Sequence, residues 1–279
     1  MTKDQPIKKF FDLTGRVAVI TGGAGLLGPR HAEALAEFGA ILVLLDRKAE
    51  VKKIAKAIAK KYKTKALGLV CDITEKAALE KALRAVLQKF GRVDILINNA
   101  ANNPAVKADG FSQNWSRLEN FPLSAWEDDL AVGLTGAFLA SQVFGSHMAQ
   151  KGRGVILNIS SDLGVIAPDQ RIYRKPGLAR SEQPVKPVTY SVLKHGILGL
   201  TKYLASYWAE EGIRVNAISP GGVYNNQPPD FVQKLIAHIP LKRMANIDEY
   251  RAAIIFLVSD ASSYMTGANL IIEGGRTIW

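Results

Sequence analysis

The chain has 279 residues, of which 48% are hydrophobic and 22% are charged, so it is long and apolar enough to bury a full globular core. No apolar run reaches the roughly 18 residues that span a bilayer, and the first residues lack an apolar signal stretch, so we expect a cytoplasmic protein without membrane contact. The single cysteine, Cys71, excludes an internal disulfide, and no cluster of cysteine and histidine predicts a metal site.

The net charge of +11 raises the question of nucleic-acid binding. Much of the charge lies between Arg47 and Lys65, where apolar residues recur at three- and four-residue steps and lysines fill the other faces. This pattern is typical of an amphipathic helix with a solvated lysine face. Because only one aromatic residue, Tyr62, and no arginine pair are interleaved with the lysines, we expect no nucleic-acid partner.

Strand and helix signals alternate along the chain. We predict helices after the first strand through Phe38, over Glu75–Phe90 and over Trp126–Gln150. Continuous runs of Val, Ile and Leu are typical of a parallel sheet covered on both faces by helices. Without a linker or a repeat, the sequence predicts one α/β domain over residues 1–279, with a doubly wound parallel sheet. The predicted strands are Arg16–Thr21, Ala40–Leu45, Ala66–Cys71, Val93–Ile97, Gly154–Ile159, Arg214–Ile218 and Asn269–Ile272.

A glycine-rich turn follows the first predicted strand. Gly22, Gly25 and Gly28 stand where the backbone must bend and approach a pyrophosphate closely, and Leu27 belongs to the same turn. The helix that follows presents unpaired N–H groups and the positive end of its dipole to such a group. The order of strand, turn and helix therefore predicts a dinucleotide site.

Asp46 ends the second predicted strand, 18 residues after Gly28. A carboxylate there accepts hydrogen bonds from the adenosine ribose and repels a 2′-phosphate, which favours NAD over NADP. The neighbouring Arg47 could bind a 2′-phosphate instead, so NADP remains the alternative.

Two further strand ends are expected at the same crevice, because ligands of open parallel sheets lie beyond the carboxyl ends of the strands. The residues concerned follow the third and the fourth strand, and we expect them to bind cofactor: Asp72, Ile73, Asn99 and Ala100.

Tyr190 and Lys194 are four residues apart in a predicted helix, so their side chains lie on one face. A free phenol titrates near pH ~10, and a cation held beside it lowers that pKa and makes a usable general acid and base. By itself, the pair is equally compatible with an ordinary amphipathic helix.

Seven stretches occur in the order typical of one family: TGGAGLLG, CDIT, NNAA, NISS, Tyr190-x-x-x-Lys194, RVNAISPGG and TGANLIIEGG. On these motifs the chain resembles the short-chain dehydrogenase/reductase family over essentially its whole length. The resemblance implies a Rossmann-type fold, a nicotinamide cofactor flanked by Pro220 and Val223, and hydride transfer to or from a carbon that bears oxygen. It also implies a homodimer or a homotetramer.

The resemblance also implies the roles of the catalytic residues. Tyr190 is the general acid and base, and Lys194 binds the nicotinamide ribose and lowers the pKa of the tyrosine. Ser161 hydrogen-bonds the reacting oxygen. Ser160 is its rival, and Ser161 is preferred because it directly precedes the DLG stretch.

Two departures from the family pattern bear on function. The spacing TGxxGxxG is common in the branch that modifies sugar nucleotides, and Gly133 occupies the position of the asparagine that usually completes the proton relay. An epimerase or dehydratase of sugars that retains its NAD is therefore an alternative to a dehydrogenase. A non-catalytic NAD-binding scaffold is a remote alternative.

The third departure is the distance of 29 residues from Ser161 to Tyr190, which predicts a basic insertion at about 163–189, here called the basic segment. Residues 168–187 hold five basic and two acidic residues. We expect Arg171 and Arg174 to bind a phosphate or carboxylate of the substrate. A subunit contact or a solvated flap is an equal alternative.

The stretch SSDLGVIAPDQRIY resembles family members from bacterial surface-sugar and flagellin-glycan pathways. This resemblance implies a carbohydrate substrate that is anionic, such as an amino-sugar, sugar-phosphate or nonulosonate derivative. A second long loop, residues 102–122 with Trp115 and Arg117, is expected to cover the substrate from the same side.

Overall fold

The computed structural model describes residues 6–102 and 114–279. Its centre is a sheet of seven parallel strands in the order β3-β2-β1-β4-β5-β6-β7. The predicted doubly wound parallel sheet is therefore confirmed, with strand ends that differ by at most two residues from the prediction. The strands are β1 Val17–Thr21, β2 Ile41–Asp46, β3 Ala66–Val70, β4 Ile95–Asn98, β5 Gly154–Ile159, β6 Ile213–Pro220 and β7 Asn269–Ile272.

Helices cover both faces of the sheet. Turns of π-helix at Ala131–Thr135 and Ser141–Gly145 join three of them into one continuous helical run. No helix in the described ranges is long and apolar enough to cross a membrane. The helices are α1 Gly28–Glu37, α2 Glu50–Tyr62, α3 Lys76–Phe90, α4 Leu123–Leu130, α5 Gly136–Ala140, α6 Ser146–Gln150, α7 Val188–Tyr207, α8 Pro229–Ile236 and α9 Arg251–Val258.

Successive side chains along each strand point to opposite faces of the sheet, so the core consists of two layers. In β1, Ala18 and Ile20 pack with α1, α2 and α9, whereas Val17 and Val19 pack with α3 and α7 on the opposite face. All four are completely buried, and burial of a Val or Ile side chain contributes about 1.5–3 kcal/mol. The helix α2 shows the predicted amphipathic character, with Val51 among its buried residues and its lysines in solvent.

The basic segment is folded against α8 by short 3-10 turns, two of which span Gln170–Tyr173 and Arg180–Glu182. Ile172 is buried in a small apolar cluster with Leu235, Ile239 and Met244. Through this cluster the segment reaches the carboxyl edge of the sheet, where a ligand of such a sheet lies.

The loop predicted over residues 102–122 falls partly outside the described residues, at 103–113. Its later part contacts the basic segment: the backbone N–H of Val185 donates to Ser116 Oγ at 3.2 Å, and Arg117 donates to the carbonyl of Arg180 at 3.0 Å. The described part of this loop and the basic segment therefore form one continuous cover.

Candidate active site

A cavity of about 900 Å³ opens at the carboxyl ends of the strands, between the glycine-rich turn and the basic segment. Thirteen of the sixteen residues expected to contact cofactor or substrate line it. They are Gly22, Gly25, Leu27, Asp46, Asp72, Ile73, Asn99, Ala100, Ser161, Tyr190, Lys194, Pro220 and Val223. The structure therefore brings the predicted cofactor residues and the predicted catalytic residues to one cavity.

The glycine-rich turn has the shape that a dinucleotide requires. Gly22 has a φ of +66°, and a Cβ at this position would lie 2.9 Å from the Cα of Ala100. Gly28 does not line the cavity; a Cβ there would collide with the carbonyl oxygen of Gly22, so this glycine lets α1 pack tightly on the turn. Backbone N–H groups at the start of α1 therefore remain accessible to a pyrophosphate.

Asp46 and its neighbours form the end of the cavity where the adenosine is expected. Asp46 Oδ2 accepts from the backbone N–H of Ala24 at 2.9 Å, and Oδ1 accepts from that of Lys48 at 3.0 Å. Arg47 and Lys48 also line the cavity. At this end of the cavity the carboxylate favours a ribose hydroxyl, whereas the two cations favour a 2′-phosphate.

The ends of β3 and β4 are fixed by local hydrogen bonds. Asp72 accepts from the backbone N–H and from the hydroxyl of Thr74, and both bonds lower the pKa of its carboxyl. Asn99 Nδ2 donates to the carbonyl of Thr21 at 2.9 Å and to that of Gly22 at 3.2 Å. The side chain of Asn99 therefore holds the glycine-rich turn against β4.

The catalytic residues lie where β5 meets α7. Ser160 Oγ donates to the backbone carbonyl of Lys194 at 2.8 Å, whereas Ser161 lies beside Tyr190 and forms a hydrogen bond to its hydroxyl. Lys194 is buried, and its Nζ donates to the carbonyl of Ile159 at 2.8 Å. This geometry favours Ser161 over Ser160 as the partner of the reacting oxygen.

The pKa of Tyr190 is shifted upward, opposite to the direction that its spacing to Lys194 predicts. Burial raises the pKa of Tyr190, and the hydrogen bond between Tyr190 and Ser161 offsets this only in part. Lys194 Nζ lies 5.8 Å from the centroid of the ring and is bonded to β5. Burial, and then the nearby charge of Lys186, lower the pKa of Lys194 to about 8.

Three charged residues close to Ser161 and Tyr190 were not predicted as site residues. Arg276 Nη1 lies 2.6 Å from Asp162 Oδ2, and Asp162 Oδ1 accepts from Ser161 Oγ at 2.8 Å. Lys186 Nζ lies 3.9 Å from the centroid of the Tyr190 ring. Lys186 belongs to the predicted basic segment, but no pattern in the sequence distinguishes it there. Arg276 lies 114 residues from its partner, and no local signal marks that pair.

The two arginines expected to bind substrate lie outside the cavity. Arg171 is solvent-exposed and paired with Asp169 at 2.7 Å, and this hydrogen-bonded pair lowers the pKa of the aspartate to about 2. Arg174 is also exposed, and its carbonyl accepts from Lys234 Nζ at 3.0 Å. The basic segment contributes Lys186 and Tyr173 to the cavity in their place.

Gly133, which occupies the position of the usual asparagine, is buried in the π-helical turn after α4. A Cβ at this position would lie 3.1 Å from both methyl carbons of Leu193, which is itself buried next to Lys194. Leu193 thus fills part of the space that an asparagine side chain would need.

Comparison with known proteins gives a consistent result. A family model described as short chain dehydrogenase matches residues 16–173, and one described as enoyl-(acyl carrier protein) reductase matches residues 178–277. The D-threitol dehydrogenase of Mycolicibacterium smegmatis is 34% identical over the whole of both chains. The NAD-dependent glycerol dehydrogenase of Listeria innocua is 36% identical over 97% of each chain.

A solved structure is also similar. The gluconate 5-dehydrogenase from Burkholderia cenocepacia, in complex with NADP and tartrate, has a TM-score of 0.82 and 30% sequence identity to this chain. The match covers 96% of this chain and 98% of that one.

Proposed function

Since the chain belongs to the short-chain dehydrogenase family, we propose that it transfers hydride between a nicotinamide cofactor and a secondary alcohol or ketone of a sugar-derived substrate. The observation that carries the proposal is the position of Ser161, Tyr190 and Lys194, which line the same cavity as the glycine-rich turn. One molecule can therefore reach both the catalytic hydroxyls and the cofactor.

In the oxidation direction, Ser161 and Tyr190 hold the hydroxyl of the substrate. The proton of that hydroxyl passes to the Tyr190 oxygen, while the hydride leaves the same carbon with its electron pair and a C=O bond forms. When bound, the nicotinamide ring supplies the carbon that accepts this hydride. Lys194 provides the cation that favours the tyrosinate, and Tyr190 returns its proton to solvent between turnovers.

We propose a sugar alcohol or a sugar acid as the substrate. The names of the similar proteins, which include D-threitol, glycerol and gluconate dehydrogenases, support this class. An anionic substrate remains a proposal from the charge of the basic segment, because Arg276 in the cavity is already paired with Asp162. A surface-sugar or flagellin-glycan substrate remains a prediction from one local stretch of sequence.

We also propose NAD as the cofactor, because the carboxylate of Asp46 lines the cavity at the end of β2. The proteins named above include one described as NAD-dependent and one solved with NADP, so the family alone does not decide the preference.

A homodimer or homotetramer remains our proposal for the assembly. It is supported by an exposed apolar face on α7, where Val192, Tyr203 and Tyr207 are solvent-accessible and the two tyrosine rings stack at 5.7 Å. Light scattering on the purified protein would measure the mass, and a monomer at micromolar concentration would contradict the proposal.

The decisive experiment follows the absorbance of NADH while the enzyme is offered D-threitol, glycerol, gluconate and a set of sugar phosphates. Net formation of NADH identifies a dehydrogenase and its substrate class. Turnover of a sugar without net NADH would support the alternative of an epimerase or dehydratase. Binding of NAD without turnover of any substrate would support the scaffold alternative.

Tyr190→Phe tests the catalytic assignment with the best substrate of that set. We expect kcat/KM to fall by about 10²–10⁴-fold, because the general acid and base is lost while the ring remains. Tyr264→Phe, which changes a fully exposed tyrosine outside α7, is the control and should keep full activity. Full activity of Tyr190→Phe would show that the assignment is wrong.

A further inference from the structure

The ring of Tyr190 has a second lysine close to it. Lys186 stands two residues before α7 begins, and its Nζ lies 3.9 Å from the ring centroid, nearer than Lys194 Nζ at 5.8 Å. We propose that Lys186 is a positioning residue, which acts through Tyr190 as a second cation that stabilises the tyrosinate during proton transfer. This inference rests on the proposed function, in which Tyr190 takes the proton.

Two buried carboxylates keep the Lys186 ammonium charged inside the protein. Burial lowers the pKa of Lys186 to about 8, and the charges of Asp162 and Asp129 act against this effect. Asp129 lies on α4, and Asp162 follows β5. Because a pKa of about 8 lies above neutral pH, most Lys186 side chains carry a charge at pH 7.

Both carboxylates are held in place by other donors. Asp129 Oδ2 accepts from the hydroxyl of Thr189 at 2.5 Å. Asp162 accepts from Ser161, from the backbone N–H of Leu163 and from Arg276. The charge environment of Lys186 is therefore a fixed part of the cavity.

The surroundings of Tyr190 otherwise oppose ionisation. Burial and the charge of Asp162 both raise the pKa of the phenol, and the hydrogen bond between Ser161 and Tyr190 lowers it. Tyr173 of the basic segment faces the same group of residues, since its own pKa responds to Tyr190, Asp162 and Arg276. A cation within about 4–6 Å of an acid favours its charged form, so the charge of Lys186 acts against this opposition.

The Lys186 ammonium also interacts directly with the face of the Tyr190 ring. A lysine ammonium over a tyrosine ring is attracted by the quadrupole of the ring, and removal of water strengthens that attraction. The charge of Lys186 also lowers the pKa of Lys194. Loss of Lys186 should therefore raise the pKa of both members of the catalytic pair, Tyr190 and Lys194.

The basic segment places Lys186 by hydrogen bonds to its backbone. The N–H of Lys186 donates to Gln170 Oε1 at 2.8 Å, and the N–H of the preceding Val185 donates to Ser116 Oγ at 3.2 Å. The backbone at Lys186 is therefore fixed by Gln170 of the basic segment and by Ser116 of the loop before α4. Lys186 is therefore the residue through which the basic segment contacts Tyr190.

The test compares Lys186→Met with Lys186→Arg, which keeps the charge, and with Lys175→Met, which removes an exposed lysine of the same segment. The ionisation of Tyr190 is read directly as tyrosinate absorbance, after subtraction of the same titration in a Tyr190→Phe background. This measurement needs no substrate, so it remains informative if the proposed function fails. The pH profile of kcat/KM is recorded in parallel with the best substrate.

We expect Lys186→Met to raise the midpoint of Tyr190 by about 1–2 pH units and to move both limbs of the pH profile upward. At pH 7, kcat/KM should then fall about 10-fold or more. Lys186→Arg should retain most of the wild-type midpoint, and Lys175→Met should leave it unchanged. If Lys186→Met does not fold, Lys186→Gln replaces it. An unchanged Tyr190 midpoint in the folded variant would overturn the proposal, whatever happens to the activity.

Discussion

Arg276 and Asp162 form a buried ion pair beneath the catalytic serine, with Nη1 of the arginine 2.6 Å from Oδ2 of the aspartate. The other oxygen of the same carboxylate accepts from Ser161 Oγ at 2.8 Å. The C-terminal segment of the chain is thereby connected to Ser161, the residue that we propose contacts the reacting oxygen. A carboxylate buried to this degree is tolerated only while its donors remain.

Replacement of the arginine should cost stability and activity together. We expect Arg276→Met to lower the free energy of unfolding by about 3–5 kcal/mol, because it leaves the charge of Asp162 buried without its cation. Urea-induced unfolding at pH 7 measures this change. The exposed pair of Arg16 and Asp260 offers the control, since Arg16→Met should cost only about 0–1 kcal/mol. Equal costs for the two arginines would contradict the prediction.

His31 should make the stability of the protein depend on pH. The side chain is buried in α1, and neither ring nitrogen has a hydrogen-bond partner among residues 6–102 and 114–279. Burial lowers its pKa from 6.5 to about 4. Below pH 6.5 the unfolded chain therefore binds a proton that the native state does not, and the native state loses stability as the pH falls.

The expected loss is up to about 1.4 kcal/mol per pH unit between the two pKa values. His31→Leu removes the titrating group, so the difference in unfolding free energy between variant and wild type should grow as the pH falls from 6.5 to 4. Urea titrations across this range measure that difference. A difference that is constant with pH would show that His31 is protonated in the native state.

The choice of cofactor should depend on Asp46. We expect Asp46→Ser to raise the ratio of kcat/KM for NADP to that for NAD on the order of 10²-fold, because a 2′-phosphate no longer meets a carboxylate and Arg47 remains beside it. Asp46→Asn removes the charge but keeps the size of the side chain, and it should also raise the ratio of kcat/KM for NADP to that for NAD. An unaltered ratio in both variants would place the discrimination elsewhere.

The sheet, the glycine-rich turn and the strand ends could be predicted because each depends on local sequence. Buried strands are short apolar runs, and Gly22 and Asp46 lie at fixed points between strands and helices. The parts that could not be predicted depend on packing between distant residues. The contact of Lys186 with Tyr190 requires the course of the whole basic segment, and the fit of Leu193 beside Gly133 requires two helices to meet.

The charge of the basic segment does not by itself show which of its cations reaches the cavity, because this too depends on packing between distant residues. Arg171 and Arg174 were the candidates because arginine suits a bidentate anion contact. The nearest aspartate in the chain already occupies Arg171, whereas the buried lysine at the end of the segment reaches the cavity. The composition of the segment indicates that it contributes a cation to the site. Which cation lines the cavity depends on how the segment folds.

Two hydrogen bonds join Lys194 to the end of β5. One connects Ser160 to the backbone of Lys194, and the other connects the Lys194 ammonium to Ile159. Helix α7 is therefore attached to the end of β5 at Lys194 itself, while the basic segment and α8 meet through a small apolar cluster and a hydrogen bond from Lys234 to the carbonyl of Arg174. These two bonds of Lys194 fix its position relative to the sheet, and neither of them involves the basic segment.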